Sequence, residues 1–366
     1  MDEFFYGNLG KKIRSIRKKK KIRMVDITRD ANISPGMLSG IETGKIRPSL
    51  KTIHKISQVL DIPLGFFFQT DLTSFTFQAE LGNNYVLAAF RQKMAELTGG
   101  DFEVRFLPHD AGRGEGGTAK DLQEGSAQIS IVYTTALWPF VPELLLFSLP
   151  AIFRDWDHAA RVLNSPLADE LARKLREKGL RVLGWWRGGK RDLYLRTEGV
   201  QKIEDLQGLR IRVKEDPVHT TFYRHLGALP VVIEWSQTSR AFGQGIIEGV
   251  DSNLISGLAA GHEKIAKQVC LLGQVFNIMA FVVSESWWAA LSDDFKKIVQ
   301  DAERVSRIFH WDACKENDQK VREKWAESGC RFVTLPQEEL IRIGSAVSPL
   351  FEHIYGRERL RLLQNM

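Results

Sequence analysis

The spacing of apolar residues changes once along this 366-residue chain, near residue 70. Before that point the period is helical. Leu9, Ile13 and Ile16 recur at i, i+4 and i+7, an apolar stripe on a basic helix. Val25 and Ile27 lie in a second short helix ending near Ala31. Asn32 follows, a residue type that tolerates the left-handed backbone of a tight turn. Ser34-Pro35 predicts a third helix, with Ser34 as N-cap and proline at the first helical position. It turns Leu38 and Ile41 inward and ends at Gly44. Pro48-Ser49 predicts a fourth, with Ile53, Ile56 and Leu60 inward. Pro63 starts a fifth, short and aromatic, through Phe66–Phe68. The polar stretch QTDLTS then places a linker at 70–74, between an all-α five-helix head at 1–69 and a body at 75–366.

From Phe75 the pattern shortens to strand-like runs: FTFQAEL, FEVRFLP, AQISIVY, RVLGWW, LRIRV, PVVIEW and MAFVV. Helical patterns separate most of them, which predicts an α/β body with a largely parallel sheet. A body of about 290 residues is large for one such unit, so two lobes sharing crossovers are expected. Long helices are expected near Trp156–Lys178, Asp293–Ser328 and Gln337–Leu363.

Hydrophobic residues make up 43% and charged residues 26%, as in an ordinary globular protein. The formal net charge is +6, but it is unevenly placed. Residues 1–70 hold 14 Lys or Arg against 6 Asp or Glu, a net of +8, and the rest nets −2. A basic head on a near-neutral body suits a polyanion partner, with a solvated basic tail as the alternative. Cys270, Cys314 and Cys330 show no metal-ligand spacing, and an odd number argues against a disulfide framework. The first residues lack an apolar core after their charges, and no apolar run reaches ~18 residues. These features predict a cytoplasmic protein without a membrane span.

The stretch NISPGMLSGIETGKIRPSLKTIHKISQVLDI carries Ser34, Ile41-Glu42, Gly44, Lys45, Arg47, Pro48-Ser49 and Leu60–Ile62 in one order. In this it resembles the Xre/Cro/CI-type helix-turn-helix family. The resemblance implies a recognition helix in the major groove of double-stranded DNA and a homodimer on a pseudo-palindromic operator. The exposed positions of that helix are Ser34, Gly36, Met37, Ser39 and Gly40. None is Arg, Gln or Asn, so much of the specificity is expected from DNA shape. Lys45, Arg47 and Arg23 are the candidate phosphate contacts. Lys18–Lys21 read individually as solvated surface charges.

The body carries LTGGDFEVRFLP, KDLQEGSAQISIVY, LLFSLPAIFRDWDHA, REKGLRVLGWWRGGKRDLYLR and KIEDLQGLRIRVKEDPVHTTFYRHLGALPVVIEWSQTSRAFGQGIIEGVDSN in sequence. It resembles the DctP-type solute-binding proteins of TRAP (tripartite ATP-independent periplasmic) transporters. The resemblance implies a two-lobed, periplasmic-binding-protein-like α/β fold and a small carboxylate ligand. Arg212 matches the arginine that clamps the carboxylate, a role suited to the planar guanidinium fork; an interlobe salt bridge is the alternative. Arg191 matches a second ligand arginine. Trp235 matches an aromatic that stacks on the ligand, or else packs in the core. Asn253 or Ser252 covers the family's asparagine position. Tyr133 and Glu115 are candidates by spacing, although Glu115 lies in the Gly-rich loop AGRGEGG, where exposure is the plainer reading. Arg210 alternates with Arg212 and reads as a surface charge.

GRGEGG lacks the Gly-Lys-Ser/Thr ending of a phosphate loop, and no catalytic or metal constellation stands out. The expected protein is therefore a one-component transcription regulator that senses an organic acid, with no cofactor and no enzymatic activity. The alternatives are a DNA-binding protein whose body only dimerises or binds a partner, an enzyme built on the bilobal fold, and a transporter subunit.

Overall fold

The computed structural model describes residues 9–10, 13–14, 16–18, 20–62, 64–67, 74–79, 84–98, 103–108 and 114–366. By its contacts the chain forms two units. The first comprises Met1–Phe77, Asn84–Leu107 and Ser286–Ile308; the second comprises Gln78–Asn83, Pro108–Glu285 and Phe309–Met366.

In the first unit the described residues between 9 and 18 are helical. Helices α1 (Met24–Asp30), α2 (Pro35–Glu42) and α3 (Leu50–Leu60) follow. Their apolar stripes meet as the periodicity predicts: Leu9, Ile13, Ile16, Ile27, Leu38, Ile41, Ile53, Ile56 and Leu60 are all buried. Asn32 adopts φ 52° and Gly44 φ 74°, so both turns use the left-handed backbone expected of them. Ser34 and Ser49 cap α2 and α3, accepting from Met37 N and Thr52 N at 3.1 Å each. Glu42 is buried and takes a bidentate bond from Arg17, at 2.6 and 2.9 Å. The fifth helix is a single 3₁₀ turn, Leu64–Phe67; four residues are too few for an α-helical ladder. Strands β1 (Ser74–Ala79) and β2 (Glu103–Pro108) are neighbours, and α4 (Asn84–Thr98) lies between them in sequence.

The second unit is built on a sheet. Its strands are β3 (Ile129–Tyr133), β4 (Leu180–Leu195), β5 (Arg210–Val213), β6 (Leu229–Val232), β7 (Gly249–Ser252), β8 (Gln268–Ser284) and β9 (Arg331–Thr334), in the order β3-β8-β4-β7-β5-β6 with β9 on β8. The expectation of a largely parallel sheet is corrected. β3, β4 and β7 make antiparallel pairs, while β5 with β6, β5 with β7, and β9 with β8 are parallel. The two longest strands, β4 and β8, run antiparallel and support the rest. The sequence pattern marks only part of each, because GGKRDLYL lacks a clean two-residue alternation. Three register shifts interrupt β4, one of them between Arg187 and Lys190 across Gly188-Gly189.

Helices α5 (Gly114–Glu124), α6 (Trp156–Leu163), α7 (Pro166–Glu177), α8 (Pro217–His225), α9 (Trp235–Gln244) and α10 (Leu254–Ala259) connect the strands. After β8 come α11 (Asp293–Glu327), α12 (Gln337–Val347) and α13 (Arg357–Asn365). The long helix expected from Asp293 forms as one 35-residue element. Two other expectations are corrected. The stretch from Trp156 splits at Ser165-Pro166, which start a new helix, and the C-terminal stretch breaks at Pro349 and Gly356. The three cysteines are buried free thiols, and burial pushes Cys270 up to about 12. Among the described residues no helix is long and apolar enough to cross a membrane.

Candidate functional site

The alternation expected between Arg210 and Arg212 is corrected: residues two apart on a strand share a face, and β5 is buried at Ile211, Arg212 and Val213 alike. Arg210, at the exposed start of the strand, pairs with Glu248, while Arg212 is 5% exposed. Arg212 Nε donates to the Ile233 carbonyl at 2.8 Å, and its Cζ lies 5.2 Å from the Trp235 ring. Trp235 opens α9 and faces His262, ring to ring at 5.3 Å. His262 is itself held by Tyr194 Oη (3.0 Å) and Ser239 Oγ (2.8 Å). Burial, then the charge of Arg212, brings its pKa down to about 4, so this ring is neutral near pH 7.

Arg191 lies on β4 and is also 5% exposed. Its guanidinium is matched internally: Nε to Asp251 Oδ1 at 3.0 Å, Nη2 to Asp251 Oδ2 at 2.9 Å, and Nη1 to Asn277 Oδ1 at 3.3 Å. Burial disfavours both charges, yet each partner holds the other ionised, with Arg191 above and Asp251 below its usual value. Behind this pair lies Asp216. Burial alone would raise it, but His219 (3.2 Å) and Lys214 bring it down to about 2. Burial lowers His219 itself.

At the end of β7, Ser252 and Asn253 take different partners. Ser252 stands opposite Asp192 and hydrogen-bonds Tyr194. Asn253 caps α10, accepting from Ser256 N at 2.7 Å, and its Nδ2 reaches Tyr133 Oη at 3.4 Å. Lys214 Nζ donates to Thr135 Oγ1 at 2.7 Å and sits 5.3 Å from the Tyr133 ring. The fold thus brings Asn253 to Tyr133 and Arg212 to Trp235, while Arg191 meets Asp251 and Asn277. The side chain of Glu115, on α5, lies outside the described residues. Asp251, Asn277, Lys214 and His262 were not singled out from the sequence. Asp251 is 60 residues from the arginine it pairs with, and no local pattern announces such a pair.

On the head, Ser34, Gly36 and Ser39 are exposed, and Met37 and Gly40 partly so. A Cβ on Gly40 would lie 2.4 Å from Ile46 Cδ1, so the exposed Ile46 side chain would have to shift to admit it; a Cβ on Gly36 would meet nothing within 4 Å. Lys45 and Arg47 are exposed just after the helix. Arg23 precedes α1 and pairs with Asp26, both contacts at 3.0 Å.

Two family models match this chain. The model described as "Bacterial extracellular solute-binding protein, family 7" (DctP) matches residues 50–358, and a helix-turn-helix model matches residues 13–67. A solute-binding protein of Verminephrobacter eiseniae is 24% identical over 277 residues, 75% of this chain and 83% of that protein. Among solved structures, a TRAP periplasmic solute-binding protein from Sulfurospirillum deleyianum with bound succinate is 25% identical. Its TM-score is 0.75, over 80% of this chain and 98% of that one. The sugar acid binding protein DctPAm from Advenella mimigardefordensis, in complex with galactonate, is 22% identical, with a TM-score of 0.75 over 80% and 96%.

Proposed function

Because this chain belongs to the bacterial extracellular solute-binding proteins of family 7, we propose that its body binds a small organic acid and that its helix-turn-helix segment makes DNA binding respond to that acid. The single observation behind this reading is the joining of both matches in one chain. A binding protein that only delivered solute would have no use for a capped, solvent-facing helix followed by Lys45 and Arg47. Succinate and galactonate, the ligands of the two solved relatives, share a carboxylate. Arg212 supplies its complement here: the Ile233 carbonyl and the Trp235 ring orient the guanidinium plane, which favours a planar, two-oxygen partner. Arg191, held by Asp251, acts as a positioning residue.

In this reading the head is of the Xre/Cro/CI type, and the protein works in the cytoplasm as a homodimer on a pseudo-palindromic operator. One α2 helix contacts too few base pairs for high specificity, and a second copy doubles the reading. The acid must bind the DNA-competent and DNA-incompetent states differently, or it regulates nothing.

The test is thermal unfolding of the full chain with a panel of mono- and dicarboxylates, for wild type and Arg212→Ala, together with DNA binding by fluorescence anisotropy. At 100 times its dissociation constant, an acid adds about 2.7 kcal/mol. An acid that stabilises wild type but not Arg212→Ala, and shifts DNA affinity, supports the reading. DNA binding that no acid changes would leave the body a dimerisation or partner-binding element.

A further inference from the structure

Asn277 lies on β8 between Phe276 and Ile278 and is 3% exposed. Its amide oxygen faces Arg191 Nη1 at 3.3 Å. A guanidinium can only donate, so the oxygen must take that side and the amide nitrogen must face away. That nitrogen, Nδ2, has no hydrogen-bond partner among the described residues. A buried donor without an acceptor is uncommon in a native fold and calls for an explanation.

The surroundings of this donor supply one. A Cβ on Gly188 would lie 2.9 Å from Asn277 Cβ and 2.9 Å from Tyr133 Cε1, so Asn277 and Tyr133 close on β4 where a side chain is missing. Tyr133 in turn meets Asn253. The unpartnered donor therefore belongs to the same set of side chains as Arg191, Tyr133 and Asn253. The one charge it touches is already matched, because Asp251 pairs with Arg191. A neutral donor beside a matched ion pair suits a neutral oxygen better than a second carboxylate.

We infer that Asn277 is a specificity-determining residue whose Nδ2 donates to a hydroxyl or keto oxygen on the carbon skeleton of the ligand, so that the protein selects oxygen-substituted acids over plain hydrocarbon acids. The inference rests on the acid-binding reading above and narrows it. A site built to hydrogen-bond a ligand oxygen discriminates against the analogue without it, since the buried donor is then left unpaired.

The experiment is calorimetric titration of the full chain with three matched pairs: succinate and malate, butyrate and 2-hydroxybutyrate, hexanoate and galactonate. Wild type is compared with Asn277→Leu, which keeps the branched shape and removes the whole amide, the acceptor of Arg191 included, and with Asn277→Ala, should the leucine variant not fold. At least one hydroxy acid is expected to bind wild type ten-fold or more tightly than its partner, and the ratio is expected to fall to three-fold or less in the variants. Acids that bind with no preference for oxygen, or a preference unchanged in the variants, overturn the inference and leave acid binding standing. Failure of all six acids to bind wild type overturns both.

Discussion

Asp192 stands on β4 and accepts backbone N–H bonds from Leu272 and Gly273 at 2.9 and 3.1 Å. Burial nonetheless pushes its pKa from 3.8 up to about 6. The folded state then binds more protons than the unfolded chain between these values. Stability from this group is complete below about pH 4 and is lost as pH rises through 6. The loss is up to roughly 3 kcal/mol at about 1.4 kcal/mol per pKa unit. Asp192→Asn should flatten urea-melt stability between pH 4 and 6; an unchanged slope would place the titration elsewhere. Asp251 behaves oppositely, since Arg191 depends on its charge. Asp251→Asn should cost roughly 3–5 kcal/mol, because it leaves a buried guanidinium without its counter-charge. The same urea melts at pH 7 check this.

At the scale of elements, local chemistry decides where helices begin and end. Ser34 caps α2, and Ser34→Ala should cost the head about 1 kcal/mol. Gly36 is the opposite case. It lies in the first turn of α2 with open space where a Cβ would stand, so Gly36→Ala should stabilise the head by roughly 0.5–1 kcal/mol. If that face meets DNA, the same change should weaken operator binding, and the two effects together separate a structural glycine from a functional one. β6 ends the strand path, and its alternation is informative. Leu229 and Ile233 donate toward β5 (2.8 and 3.4 Å), so Pro230 faces outward and withholds a donor from the open edge. Leu229 and Val232 are about half exposed there, at 54% and 52%. Pro230→Thr should increase concentration-dependent association in light scattering; unchanged scattering would show that another feature protects the edge.

For the whole molecule, the basic excess in residues 1–70 makes salt the natural probe of DNA binding. Lys45→Ala should lower the slope of log affinity against log salt by about one if Lys45 holds a phosphate, and leave it unchanged if not. The sequence by itself determined the helical head, its buried stripe, and its turns at Asn32 and Gly44, because each depends on residues within a turn or two. It also carried the order of motifs that the DctP match confirms. Only tertiary structure decided the antiparallel pairing of β4 with β8, the ion pair of Arg191 with Asp251, and the meeting of Asn277, Gly188 and Tyr133. Those partners lie tens to more than a hundred residues apart. Their contact depends on strand register and on burial that makes each unmatched charge or donor unfavourable, and neither is written in any local run of residues.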